Sequence, residues 1–173
     1  NANYQISRGD KSAKIGLGYI ASIANSAGMQ SNGAGGNNFS GFNSTSQVLV
    51  HQVPGVDINA SVSIQNWTLV AEYLTATRHF DPSNLTFNGL GARPGAMHAE
   101  LQYTLNWAHP TNVALSYGQS FEALALNLPR RSLAMVMNTS LWKNTIESLE
   151  FRHNINYANT DTATGNKNPI TLG

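Results

Sequence analysis

Long runs of two-residue alternation constrain this chain more than any motif does. From Val56 to Gln65 every even position is apolar and every odd one is polar. Successive side chains of a strand point to opposite faces, so this run has one greasy face and one wet face. The pattern returns from His98 to Trp107. There Ala99, Leu101, Tyr103, Leu105 and Trp107 oppose His98, Glu100, Gln102, Thr104 and Asn106. It recurs more weakly from Ser132 to Leu141, and again where Leu149, Phe151, Ile155 and Tyr157 oppose Glu150, Arg152 and Asn154. The predicted strands are 2–7, 13–22, 56–65, 68–80, 96–107, 112–121, 131–142, 145–157 and a last piece from 169. Many of them span about 10 to 13 residues. Strands of soluble domains average about five or six residues, whereas a tilted membrane-crossing strand needs roughly 9 to 11.

The connections alternate in length. Short links at 8–12, 66–67, 108–111 and 143–144 read as hairpin turns. The links between them are long, at 23–55, 81–95, 122–130 and 158–168, and most are rich in Gly, Asn, Ser or Pro. Outer-membrane barrels have this asymmetry, with short periplasmic turns and longer loops outside. The aromatic residues follow it. The tryptophans are Trp67, Trp107 and Trp142, each beside a short turn. Trp and Tyr favour a membrane–water interface, where the ring is half buried and its polar end stays wet. These three are therefore candidate interface anchors, with Phe80, Phe121 and Tyr157 ending strands at the opposite rim. The plainer alternative is that aromatic residues simply terminate strands, as in many sheet proteins.

Composition removes other classes. Only 11% of the 173 residues are charged and the net charge is +1, against about 25% charged residues in an average soluble domain. Uncharged polar residues fill the gap, including 21 Asn. A nucleic-acid binder would show a basic stripe, and none is present. The absence of cysteine removes disulfides, thiol catalysis and Cys-ligated zinc. No apolar stretch approaches the roughly 20 residues of a spanning helix. No phosphate loop, nucleophile elbow or paired-histidine metal signature is present, so neither an enzyme nor a cofactor is expected. The spacing of His51, His79, His98, His109 and His153 forms no known metal site.

In a membrane barrel the apolar face meets lipid and the polar face lines a lumen, with every backbone group paired. On that reading the candidate pore-lining residues are Asp57, Glu72, Arg78, His98, Glu100, Glu150 and Arg152. The facing of Glu72 and Arg78 is ambiguous, because Val70 and Leu74 share their parity. These charges either pair across the lumen and stiffen the wall, or set the electrostatic profile of a pore. Ala114, Ser116, Gly118 and Ser120 share the inward parity of their strand and leave space there.

Several segments carry a resemblance. They are Val53-Pro54-Gly55-Val56-Asp57; Glu72-Tyr73 with Thr75-Ala76 and His79-Phe80-Asp81; Phe87-Asn88-Gly89; Gly91-Ala92-Arg93-Pro94; and Leu149-Glu150-Phe151-Arg152-His153 with Tyr157. Residues 122–126 and 128–129 match less well. In order and spacing this set resembles the outer-membrane siderophore porin family typified by LbtU of Legionella, related to Francisella iron-uptake proteins of the FupA and FslE kind. The resemblance runs from about residue 12 to 168. It implies a barrel in the bacterial outer membrane, a role in siderophore or iron acquisition, and no plug domain. It supplies no active-site residues.

The expectation is an all-β, antiparallel transmembrane β-barrel of about eight or nine strands, with residues 1–173 forming one domain. Nine is an odd count, and bacterial single-chain barrels have even ones. The chain is therefore expected to be a C-terminal portion of a larger barrel, incomplete at both ends; the alternative is eight strands closed around a filled interior. The expected function is passive passage of a siderophore or iron complex through a polar lumen. Outer-membrane lipid is the expected partner, and nucleic acid is not. The competing reading is a structural or adhesive barrel whose long loops bind a partner, and a third is a soluble ligand-binding barrel.

Overall fold

The computed structural model describes residues 1–25, 50–106 and 109–163. Among these residues ten strands form: β1 (Ala2–Arg8), β2 (Lys11–Ile20), β3 (Gly55–Ile64), β4 (Trp67–Ala76), β5 (Thr86–Phe87), β6 (Leu90–Gly91), β7 (Gly95–Leu105), β8 (Thr111–Phe121), β9 (Arg131–Thr139) and β10 (Glu147–Ile155). Two single 3₁₀ turns, Ile23–Asn25 and Leu124–Leu126, are the helical pieces among the described residues. Eight strands make one antiparallel sheet in the order β1-β2-β3-β4-β7-β8-β9-β10. The remaining two, β5 and β6, form a small hairpin inside the connection from β4 to β7. Each strand thus pairs with the next long strand in sequence, as a meander does.

The register turns local alternation into two continuous surfaces. One row runs Tyr4, Ile15, Ala60, Ala71, Ala99, Tyr117, Leu133 and His153 across all eight strands. The next runs Ile6, Ala13, Val62, Leu69, Leu101, Leu115, Met135 and Phe151. A one-residue slip in any pair would move a whole strand's apolar set to the other face. The opposite face carries Gln5, Lys14, Ser61, Val70, Glu100, Ser116, Ala134 and Arg152 in one row. The apolar face is bare: Ile15, Leu17, Ile58, Leu69, Leu101, Leu115, Met135 and Phe151 are all exposed.

The buried core lies at one end of the sheet, under the long connections, and not between two layers. Ile23, Ala24, Val53, Ala76, Phe80, Leu85, Ala92 and Ala125 pack together there, with Phe87, Leu126 and Ala163 against them. The sheet contributes to this cap through its polar side. Ala76 and Ser120, on the parity of Glu72 and Ser116, are buried. A side chain at Gly55, on the parity of Asp57, would press on Ile20 and touch Ile23. The long connections therefore fold inward over the end of the polar face.

Several sequence expectations change. The alternative of eight strands closed on themselves is not seen: among the described residues β1 pairs only with β2, and β10 only with β9. The fourth strand ends at Ala76 and not at Phe80. Thr77 N–H donates to Pro54 O at 2.8 Å and Phe80 N–H to Ala92 O at 2.8 Å, which draws the chain into the cap. The link between β9 and β10 is 140–146, longer than a two-residue turn. Phe80 and Tyr157 are buried in the cap and do not form an outer girdle. The strand expected from 169 lies outside the described residues.

Candidate functional site: the polar wall and its capped mouth

The polar face is the surface on which the predicted site residues meet. Asp57 stands on β3 with Gly18 opposite on β2. A side chain at Gly18 would collide with the Asp57 carboxylate, and one at Gly16 with the Asn59 amide. These two glycines let long polar side chains of β3 lie across β2. Asn59 Nδ2 donates to Asp57 Oδ2 at 3.0 Å along the strand. The next row brings Asn59, Glu72, His98 and Gly118 side by side. This settles the facing of Glu72: it shares the polar face with His98, and Val70 and Leu74 are apolar exceptions on that face. Glu72 and His98 are both exposed.

Glu100 lies one row further, between Val70 and Ser116, and accepts a hydrogen bond from Gln102 Nε2. On β10, Arg152 and Glu150 form an ion pair at 2.7 Å. The two are neighbours on one strand, so the pair does not bridge the wall. Pairing across the wall, one of the two expectations, is not seen among the described residues. Arg78 is not a wall residue. It lies beyond β4 and donates from its guanidinium to Gln52 O, tying two long connections together. Lys14 does belong to the wall, facing Gln5 and Ser61, and was not among the predicted residues. Its parity with Gly16 and Gly18 in the run Lys14-Ile15-Gly16-Leu17-Gly18 was the available signal. Among the described residues no group of three or more His, Asp or Glu is arranged to hold a metal ion.

At the long-connection end the cap is pinned by side chains from four segments. Tyr157 is buried, its hydroxyl 2.7 Å from Ser120 Oγ and accepting from Ala123 N–H at 3.0 Å. Its ring meets Phe87 edge-on at 5.6 Å. Asn88 locks onto the 158–163 segment, with Nδ2 donating to Asp161 Oδ1 at 3.0 Å and Oδ1 accepting from Thr162 N–H at 2.8 Å. Glu122 accepts from Arg93 N–H at 2.6 Å, and Arg93 Nε donates to Ala76 O at 2.9 Å. Asp81 accepts from both the amide and the hydroxyl of Ser83, at 2.8 and 2.6 Å. Those two bonds hold its carboxyl below the usual carboxylate range.

At the opposite rim, Trp67 opens β4, faces the apolar side and stacks on Tyr103 with centroids 4.5 Å apart and planes tilted by 45°. Trp142 is exposed in the 140–146 connection. Trp107 lies outside the described residues. Two of the three proposed anchors are thus placed at the short-turn rim.

Comparison with known proteins adds relatives. The chain is 41% identical over 160 residues to the UPF0422 protein lpg2959 of Legionella pneumophila (strain Philadelphia 1), a match covering 90% of this chain and 30% of that protein. It is 41% identical to the UPF0422 protein lpl2888 of the Lens strain, with the same coverage. It is 33% identical over 167 residues to a UPF0422 protein of Coxiella burnetii, covering 95% of this chain and 34% of that protein. The chain therefore spans about a third of the length of the curated relatives it matches. No family model matches the chain, and no solved structure does.

Proposed function

We propose that this chain forms part of the wall of a β-barrel in the bacterial outer membrane, of the siderophore porin kind, and that a siderophore or iron complex passes along its polar face. One observation carries the reading: a continuous, exposed apolar face runs across all eight strands of the sheet, backed by a polar face. In water such a surface would be an aggregation liability; against lipid tails it has its solvent. A soluble barrel would turn its apolar face inward. Strands of nine to eleven residues match the thickness to be crossed. Among the described residues β1 and β10 each pair on one side only; in a membrane wall further strands would pair with them, because an unpaired edge in hydrocarbon leaves backbone N–H and C=O groups without partners.

On this reading Asp57, Glu72, His98, Glu100, Glu150, Lys14 and Arg152 set the field along the lumen, and the cap narrows one mouth. Transport is passive, and the protein is not an enzyme. The test is planar-bilayer recording and liposome flux with the purified protein. Stepwise conductance and flux of a ferric siderophore are expected; no conductance and no flux overturn the transport reading. The inward-folded cap favours one second reading, in which the barrel is an anchor and the packed connections present a binding surface. That reading expects a sealed bilayer together with partner binding that is lost when the cap is cut.

A further inference from the structure

We propose that the short-turn rim carries a binding site for a zwitterionic amine headgroup, with Asp10, Trp67 and Tyr103 holding the ammonium end. The source of that headgroup is a phospholipid of the surrounding leaflet, so this part of the inference rests on the barrel reading. An open cleft of about 530 Å³ lies at the rim, lined by Asp10, Gln65, Asn66, Trp67 and Tyr103. Its size falls within the range of roughly 300–1,000 Å³ typical of small-ligand sites.

The backbone builds this cleft from three connections. Gln65 N–H donates to Asp10 O at 3.1 Å, which fastens the β1–β2 turn beside the β3–β4 turn. Thr104 N–H donates to Asn66 O at 2.9 Å, which fastens the end of β7 to the same turn. Asp10 is thereby held next to the cross-strand pair Trp67–Tyr103. Its carboxylate has no hydrogen bond or ion pair among the described residues. Gln65 takes a positive φ of 53°, which makes the turn tight enough for the three to converge.

The chemistry selects the ligand. An ammonium group is drawn to the face of an indole or phenol ring, Trp most strongly. A carboxylate beside the rings adds a charge of the right sign and repels an anionic headgroup. The same cleft offers amide donors for a phosphate. Asn106 Nδ2 donates to Asn66 Oδ1 at 3.4 Å, which leaves Asn66 Nδ2 as a donor, and the Gln65 side chain lies beside it. Cation seat and phosphate donors together fit phosphoethanolamine and its choline analogue. The Trp67 and Tyr103 rings lie on the apolar face, so acyl chains would continue down the surface that meets lipid.

The experiment uses the full chain, delipidated in detergent, and reads lipid retention by native mass spectrometry. Phosphatidylethanolamine and phosphatidylglycerol of identical acyl chains are offered in equal amounts. A preference for the ethanolamine lipid of about tenfold is expected, falling to near parity in Asp10→Asn and in Trp67→Leu. Circular dichroism confirms that both variants keep their strands. Equal retention of the two lipids by the unaltered protein overturns the site, as does an unchanged preference in both variants. A separate arm titrates soluble phosphoethanolamine. Saturable binding abolished by Asp10→Asn supports the headgroup site even where bilayer recordings fail, so the two readings fall separately. Binding of phosphoethanolamine with no gain from acyl chains overturns the lipid as its source.

Discussion

Tyr157 shows how much a single side chain can organise in this fold. It is buried two residues past the end of β10, and its hydroxyl serves both Ser120 Oγ and Ala123 N–H. Tyr157→Phe keeps the ring against Phe87 and leaves the Ala123 amide buried without a partner, a loss of about 1–3 kcal/mol. The expected result is faster proteolysis within 122–130 and 156–163 with strand content unchanged. Asp81 makes a pH-dependent contribution to the same cap. Its carboxyl sits below its ordinary value because Ser83 hydrogen-bonds the charged form. A depressed carboxylate stabilises the fold above the unfolded-state value, and that support is lost as pH falls through the folded one. Cap proteolysis should therefore rise as pH drops below the usual carboxylate range, and Asp81→Ala should remove that pH dependence. Neither role was legible in the sequence. Tyr157 and Phe80 sit at the ends of alternating runs and read as rim aromatics. Their partners come from four connections distant in sequence, and no period links them.

At the level of elements, legibility was high where the constraint is local. The greasy and wet faces of β3, β7 and β10 follow directly from parity, and the register confirms the side on which Asp57, His98, Glu100, Glu150 and Arg152 stand. Strand ends were less legible, because they are set by distant partners. Pro54 O and Ala92 O take up the Thr77 and Phe80 amides and end β4 four residues early, which moves Arg78 out of the wall. Neighbouring positions on β8 separate the faces in a direct test. Leu115 is central on the apolar face, between Leu101 and Met135, while Ser116 lies between Glu100 and Ala134 on the polar one. If the apolar face meets lipid, Leu115→Arg places a charge near mid-membrane at a cost of about 2–4 kcal/mol. Ser116→Arg places one in a wet lumen beside Glu100 and should be close to neutral. Refolding into vesicles followed by urea titration measures both. Equal costs for the two variants would remove the lipid-facing assignment.

For the molecule as a whole, the organising fact is where the core is not. Among the described residues burial is concentrated in the cap over one end of the polar face, and the rest of the eight-stranded sheet has no second layer against it. A sheet without a second layer to pack on depends for its stability on what surrounds it and on what pairs with its two edges. Alternation reveals faces but carries no information on closure, since an open wall and a closed barrel use the same two-residue period. If the sheet is an arc of a larger barrel, the outer strands are where the isolated chain and a longer relative differ. Among the described residues β1 and β10 each have a ladder on one side only, and opening them breaks fewer bonds than opening β4 or β7. Their amides should exchange with solvent well before those of β4 and β7. The matching strands of a full-length relative such as lpg2959, which has more than three times the matched length, should be protected as strongly as the central ones if further strands flank them. Hydrogen exchange with mass-spectrometric readout, in the same detergent for both proteins, makes the comparison. Edge strands that stay equally fast in the longer protein would mean that the wall ends at β1 and β10, and the reading of this sheet as an arc of a larger barrel would be lost with it.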